Sequence, residues 1–185
     1  MDSDLPEIPE LSSFTDRHSE LYDKHFPKGQ DEESAVLKAH LLIESMLRDF
    51  CYRSLPDPEP VKEARLTFKQ ISLLARSLFL FPVDGLNYVW GLIAKLNLLR
   101  NMMAHELEPD PVKMEKLRTS YLTTISSNRL NTDPALFPSD LREALSYTCG
   151  VLSAMLLVSL AMNNKIFQGL GQPEVDSGTD DESAQ

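Results

Sequence analysis

The chain reads as all-α, a single up-and-down bundle of five to six helices, on three observations. No stretch alternates apolar and polar residues with period two, and the long segments repeat apolar residues at three- and four-residue steps. Hydrophobic residues make up 42% and charged residues 25%, the balance of a chain that buries a core. Its 185 residues suit one such core, because two would each approach the lower limit at which burial outweighs chain entropy.

A first short helix is expected from Ser13 to His25, capped by Ser12 or Ser13 and closed by Pro27-Lys-Gly. The second carries the stripe Ala35, Val36, Ala39, Leu42, Ile43, Met46, Leu47 and Phe50, behind the acidic start Asp31, Glu32 and Glu33, and should end near Ser54. Pro56, Pro58 and Pro60 predict an extended connection, since each ring fixes its own backbone and biases its predecessor away from helix. Thr67 and Gln70 have the spacing of a capping box for a third helix that turns Phe68, Ile71, Leu74, Ala75 and Leu78 inward, until Phe81-Pro-Val breaks it.

A fourth helix opens at Asp84 or Gly85, aligns Leu86, Val89, Trp90, Ile93, Leu96, Leu99 and Met103, and runs to Leu107, before Pro109 and Pro111. A fifth, from Pro111 to Ser126, uses proline in its first turn and is expected to bury Val112, Leu117, Tyr121 and Ile125. Ser127–Pro138 is rich in Asn, Asp and Pro and reads as a loop, and the last helix spans Ser139 to Phe167. The folded domain is thus expected over 12–168, flanked by disordered acidic ends at 1–11 and 169–185.

No charge occurs between Glu143 and Lys165, a stretch long enough to cross a bilayer. Ser146, Thr148, Ser153, Ser159, Asn163 and Asn164 interrupt it, however, and it continues from an amphipathic start, so a buried helix central to the bundle is expected and no membrane partner. Cys51 and Cys149 show no paired spacing, which suggests neither a disulfide framework nor a zinc site. A reducing, cytoplasmic setting is expected, since MDSDLPEIPE is acidic where a secretory signal begins basic.

The formal net charge of −10 speaks against a broad nucleic-acid surface, because phosphate binding draws on Lys and Arg. Nine of the 28 acids lie at the two ends, however, and residues 11–173 hold 19 acids against all 18 bases. A local basic patch therefore remains open.

The one run that gathers chemically versatile groups is Arg100-Asn-Met-Met-Ala-His105. Asn101 and His105 lie about 40° apart around a helix, with Arg100 beside them. An imidazole to move a proton and a guanidinium to stabilise a phosphorane are what RNA cleavage by its own 2′-hydroxyl requires, without metal or cofactor. The bland alternative has Arg100 paired with Glu44 and His105 closing a helix C-terminus.

From Asp31 to Glu108 the sequence resembles the HEPN superfamily, helical nucleotide-binding and RNA-cleaving domains, and within it mannitol-operon-repressor-like proteins. The likeness rests on Ala39-His-Leu-Leu-Ile-Glu-Ser-Met-Leu-Arg48 and Leu96-Asn-Leu-Leu-Arg-Asn-Met-Met-Ala-His105. It implies a homodimer that binds RNA or a nucleotide in a stress, toxin-antitoxin or phage-defence setting. In a metal-independent endoribonuclease of this kind His105 would be the acid/base group, Arg100 the transition-state stabiliser and Asn101 a positioning residue. Equally it admits a non-catalytic regulator that acts on a protein partner. Glu106 and Glu108 would repel phosphate, and a basic groove would have to collect Arg48, Arg53 and Lys95 from elsewhere.

His40 and Glu44 share a helix face as two metal ligands would, but lack a third and read as a polar pair, with Glu44 the residue that orients Arg100. His18 and His25 are expected to face solvent, Cys149 to be an inert apolar thiol, Met102, Met103, Met155 and Met162 to fill the core, and Trp90 to lie in the core or a dimer interface.

Overall fold

The computed structural model describes residues 9–26, 29–80, 85–105, 108–128 and 138–170. All the secondary structure there is helical: α1 (Pro9–His25), α2 (Glu32–Ser54), α3 (Glu59–Glu63), α4 (Phe68–Leu78), α5 (Tyr88–His105), α6 (Pro111–Ser127) and α7 (Leu141–Leu170). Most of the expected acidic ends, the break at Phe81-Pro-Val and most of the Ser127–Pro138 loop lie outside the described residues, but residues 9–11 and 169–170, expected in the disordered ends, belong to α1 and α7.

Helix α2 starts where its first-turn donors find an acceptor: the Asp31 carboxylate accepts the Ser34 N–H at 2.8 Å, with Glu32 and Glu33 in the first turn. All eight residues of its expected stripe are buried, as are His40, Cys51 and Ser54. Burial over so wide an arc needs cover from several sides, and α1, α4, α5 and α7 provide it. The central element is therefore α2, whereas the apolar last helix was expected to be. Leu141–Asn163 of α7 is long and apolar enough to cross a bilayer, but only 44% of its most apolar window is buried, and Val158 and Met162 face outward. Met162 is thus not core filler.

Three phenols fasten α7 to its neighbours. Tyr121 of α6 donates to Thr148 at 2.8 Å, Tyr22 of α1 donates to Ser146 at 2.7 Å, and the Tyr88 hydroxyl of α5 hydrogen-bonds that of Tyr147 at 2.8 Å. Burial holds the Tyr88 and Tyr121 hydroxyls well above the ordinary phenol range, so both remain neutral.

Several boundaries differ from expectation. Helix α1 begins at Pro9, which puts Ser12 and Ser13 inside it rather than at its cap. The proline segment contains the one-turn helix α3, because Pro60 falls in the first turn, where no helical N–H partner is needed. Val112 is 74% exposed: Met114, Tyr121 and Ile125 form the buried stripe of α6, and two residues before Met114 is the opposite side of a helix.

Helix α4 follows expectation closely. Gln70 N–H donates to the Thr67 hydroxyl and Thr67 N–H to the Gln70 side chain, closing the capping box. Removing that hydroxyl in Thr67→Ala should lower unfolding free energy by about 1 kcal/mol. The check is a shifted urea midpoint with unchanged slope; an unmoved midpoint would mean that packing alone defines this end of α4.

Candidate functional site

Helix α5 runs antiparallel to α2: Asn97 meets His40, while Ala104 and His105 share a groove with Glu32 and Glu33 at the other end. Two polar regions result, and the Arg100–His105 run is divided between them.

The first lies between α2, α4 and α5. His40, buried, sets its ring against Phe68 with centroids 4.0 Å apart, and its Nε2 lies 3.2 Å from the Asn97 side-chain oxygen. In that arrangement Nε2 carries the proton of the neutral ring and donates it. The Nδ1 atom is 4.0 Å from Glu44, and Glu44 accepts from Arg48 at 2.6 Å. Arg48 also donates to the Leu66 carbonyl at 2.7 Å, so a polar line crosses the bundle from Asn97 to the start of α4. Burial pushes the His40 imidazole below its ordinary range; the Asn97 contact and Glu44 oppose this, and the charge of Arg100 adds to it.

Arg100 and Asn101 are half-buried, and the Arg100 guanidinium donates to Asn101 at 3.1 Å. The expectation that Glu44 orients Arg100 is corrected. Glu44 is held by Arg48, one turn away on the same helix, which reaches it with two N–H groups from a fixed distance.

The second region is a groove of about 520 Å³. His105 is exposed there, beside Glu32, Glu33, Met103, Met114 and Arg118, and Arg100 does not line it. Arg118 is engaged by an ion pair with Glu32 and lies 3.6 Å from Glu115. The imidazole thus shares its surroundings with two carboxylates and a cation already in use. None of the bases expected to gather here does so. Arg48 is on Glu44, Arg53 is on Asp49 at 2.8 Å, and Lys95 donates to the Ser120 carbonyl at 2.9 Å and to Thr124.

Comparison with protein-family models, with curated proteins and with solved structures finds no match to this chain.

His18, expected in solvent, is buried: Nδ1 donates to the Phe14 carbonyl at 2.8 Å, and Nε2 lies 3.9 Å from Asp49. The signal was present in the sequence, since Phe14, His18 and Tyr22 follow one another at four-residue steps, but the polar ring hid the stripe. Cys51 and Cys149 are both buried, which pushes their thiols up to about 12, the expected inert state for Cys149. Among the described residues no three His, Cys, Asp or Glu side chains gather as metal ligands.

Burial lowers the pKa of both His18 and His40 below 6.5, so below that pH the unfolded chain binds more protons than the folded one. Stability should accordingly be full above the unfolded-state value and fall as pH drops through it. Urea midpoints measured from about pH 7.5 to about 5.5 should decline, and the decline should be shallower in His40→Gln than in wild type. An equal slope in the variant would show that His40 takes no part.

Proposed function

We propose that the chain is a non-catalytic regulatory or interaction module, similar in kind to the mannitol-operon-repressor-like regulators that its Arg-Asn-x-x-Ala-His run resembles. The observation that carries this reading is the charge around His105. A phosphate approaching the imidazole meets Glu32 and Glu33, while Arg118, the cation in the groove lining, is already paired with Glu32. Neutralising a phosphate backbone needs free cations, and an oxyanion transition state needs donors aimed at it. Arg100, the residue suited to that task, donates to Asn101 and is absent from the groove lining. The module would work in the cytoplasm through a protein partner, as a homodimer on the strength of the same resemblance.

A second reading, a metal-independent endoribonuclease with His105 as acid/base, Arg100 as stabiliser and Asn101 as positioning residue, draws support from one feature. His105 is exposed and Arg100 is half-exposed on a single helix, so a second protomer has a route to supply the missing cation.

Purified chain incubated with single-stranded RNA in chelator separates the two. The module reading expects no cleavage above a buffer control. It expects His105→Ala to change stability by no more than about 0.5 kcal/mol, as for other exposed positions. Cleavage that leaves cyclic phosphate ends and is lost in both Arg100→Ala and His105→Ala, with helicity unchanged, would overturn it in favour of the nuclease.

A further inference from the structure

Helices α4 and α5 pack side by side and antiparallel, and between them lies a groove of about 330 Å³ that shares no residue with the one at His105. Its floor and walls are Phe68 and Leu73 of α4 with Trp90, Ile93, Ala94 and Leu98 of α5. Leu73 and Leu98 are each 54% exposed, and Leu80, just beyond α4, is 56% exposed. Ala94 keeps the α5 wall low. Large apolar side chains grouped in this way, unlike scattered ones, mark a surface that something covers.

The rim identifies the chemistry of the cover. Lys69 and Arg76, both exposed, stand at the two ends of the α4 side, and among the described residues no acid lines the groove. Among the described residues neither cation makes an ion pair, whereas Arg48, Arg53, Arg118 and Arg142 each do. Charge beyond about 8 Å is screened at physiological salt, so an arriving carboxylate responds to these two side chains more than to the net charge of the chain.

A second copy of the same face is a poor cover. A two-fold contact repeats one patch on both sides, and antiparallel α4 helices would set Lys69 of one copy against Arg76 of the other with no acid between them. We propose that the α4–α5 groove docks an acidic amphipathic helix from another protein. Lys69 and Arg76 are seven residues apart, about 10 Å along the axis, which is two helical turns. The partner helix carries carboxylates at positions i and i+7 to meet them, and apolar residues at i+3 and i+4 that enter between Leu73, Leu98 and Trp90. The inference holds for either reading of the His105 end, because the two surfaces are separate.

Trp90 is the sole tryptophan of the chain and lines the groove, so its emission reports occupancy directly. The probe is a synthetic helical peptide of about four turns with Glu at i and i+7, Leu at i+3 and i+4, and Ala or Gln elsewhere. Titration into the full-length chain should give a saturable change in Trp90 emission. Affinity should fall about tenfold or more in the Lys69→Glu/Arg76→Glu double variant, and likewise when Lys replaces Glu in the peptide. Leu98→Ser, an exposed position, should weaken binding with little change in the thermal melt.

Three results would overturn the proposal. One is no saturable signal up to about millimolar peptide, the affinity range of the weakest specific contacts. Another is peptide binding that is indifferent to the double charge reversal. The third is failure of the peptide alongside either tight binding of a single-stranded RNA to Lys69 and Arg76, or a wild-type dimer that Leu98→Glu dissociates.

Discussion

The bundle depends on covering α2. Its buried residues span about half of its circumference, and no single neighbour can shield so wide an arc from water. Four helices do so together, and the course of the chain is largely the solution to that demand: α1 and α7 on some of its sides, α4 and α5 on others. Taking apolar surface from water is the dominant favourable term, and all four contribute buried apolar side chains to the one core around α2. Helix α6 touches α5 and α7 instead and leaves much of its length in solvent.

Within that apolar contact one polar line survives, from Asn97 through His40 and Glu44 to Arg48 and the Leu66 carbonyl. Polar groups in a helix interface are costly unless paired, and here His40 pairs with Asn97 while Arg48 pairs with Glu44 and the Leu66 carbonyl. The line also sets register. Sliding α5 by one residue along α2 would strand both Asn97 and His40, a penalty that interchangeable leucines would not impose. Phe68, stacked on His40, extends the same specification to α4.

Helix α5 consequently has three kinds of surface. Its innermost side packs on α2, its last turn presents His105 to a groove walled by Glu32 and Glu33, and its outer side borders the apolar trough with α4. Arg100 stays beside Asn101, apart from the imidazole with which it shares a motif. A short motif on one helix therefore does not by itself assemble one site, because five residues turn about 140° around the axis.

What the sequence determined alone is the local physics: helix as the secondary structure of the described residues, since apolar period is a property of neighbouring residues; the Thr67–Gln70 cap, since its two partners are three residues apart; and the stripe of α2, since it is wholly apolar. Where the local signal was mixed it misled. Pro60 has the chemistry of a breaker although the first helical turn tolerates it, and the polar ring of His18 masks its place on a buried stripe. Only the tertiary structure decided which helix is central, that Glu44 serves Arg48 and not Arg100, and that His105 stands among carboxylates. Those outcomes depend on residues distant in sequence arriving at the same place, and helical periodicity carries no information about which faces will meet.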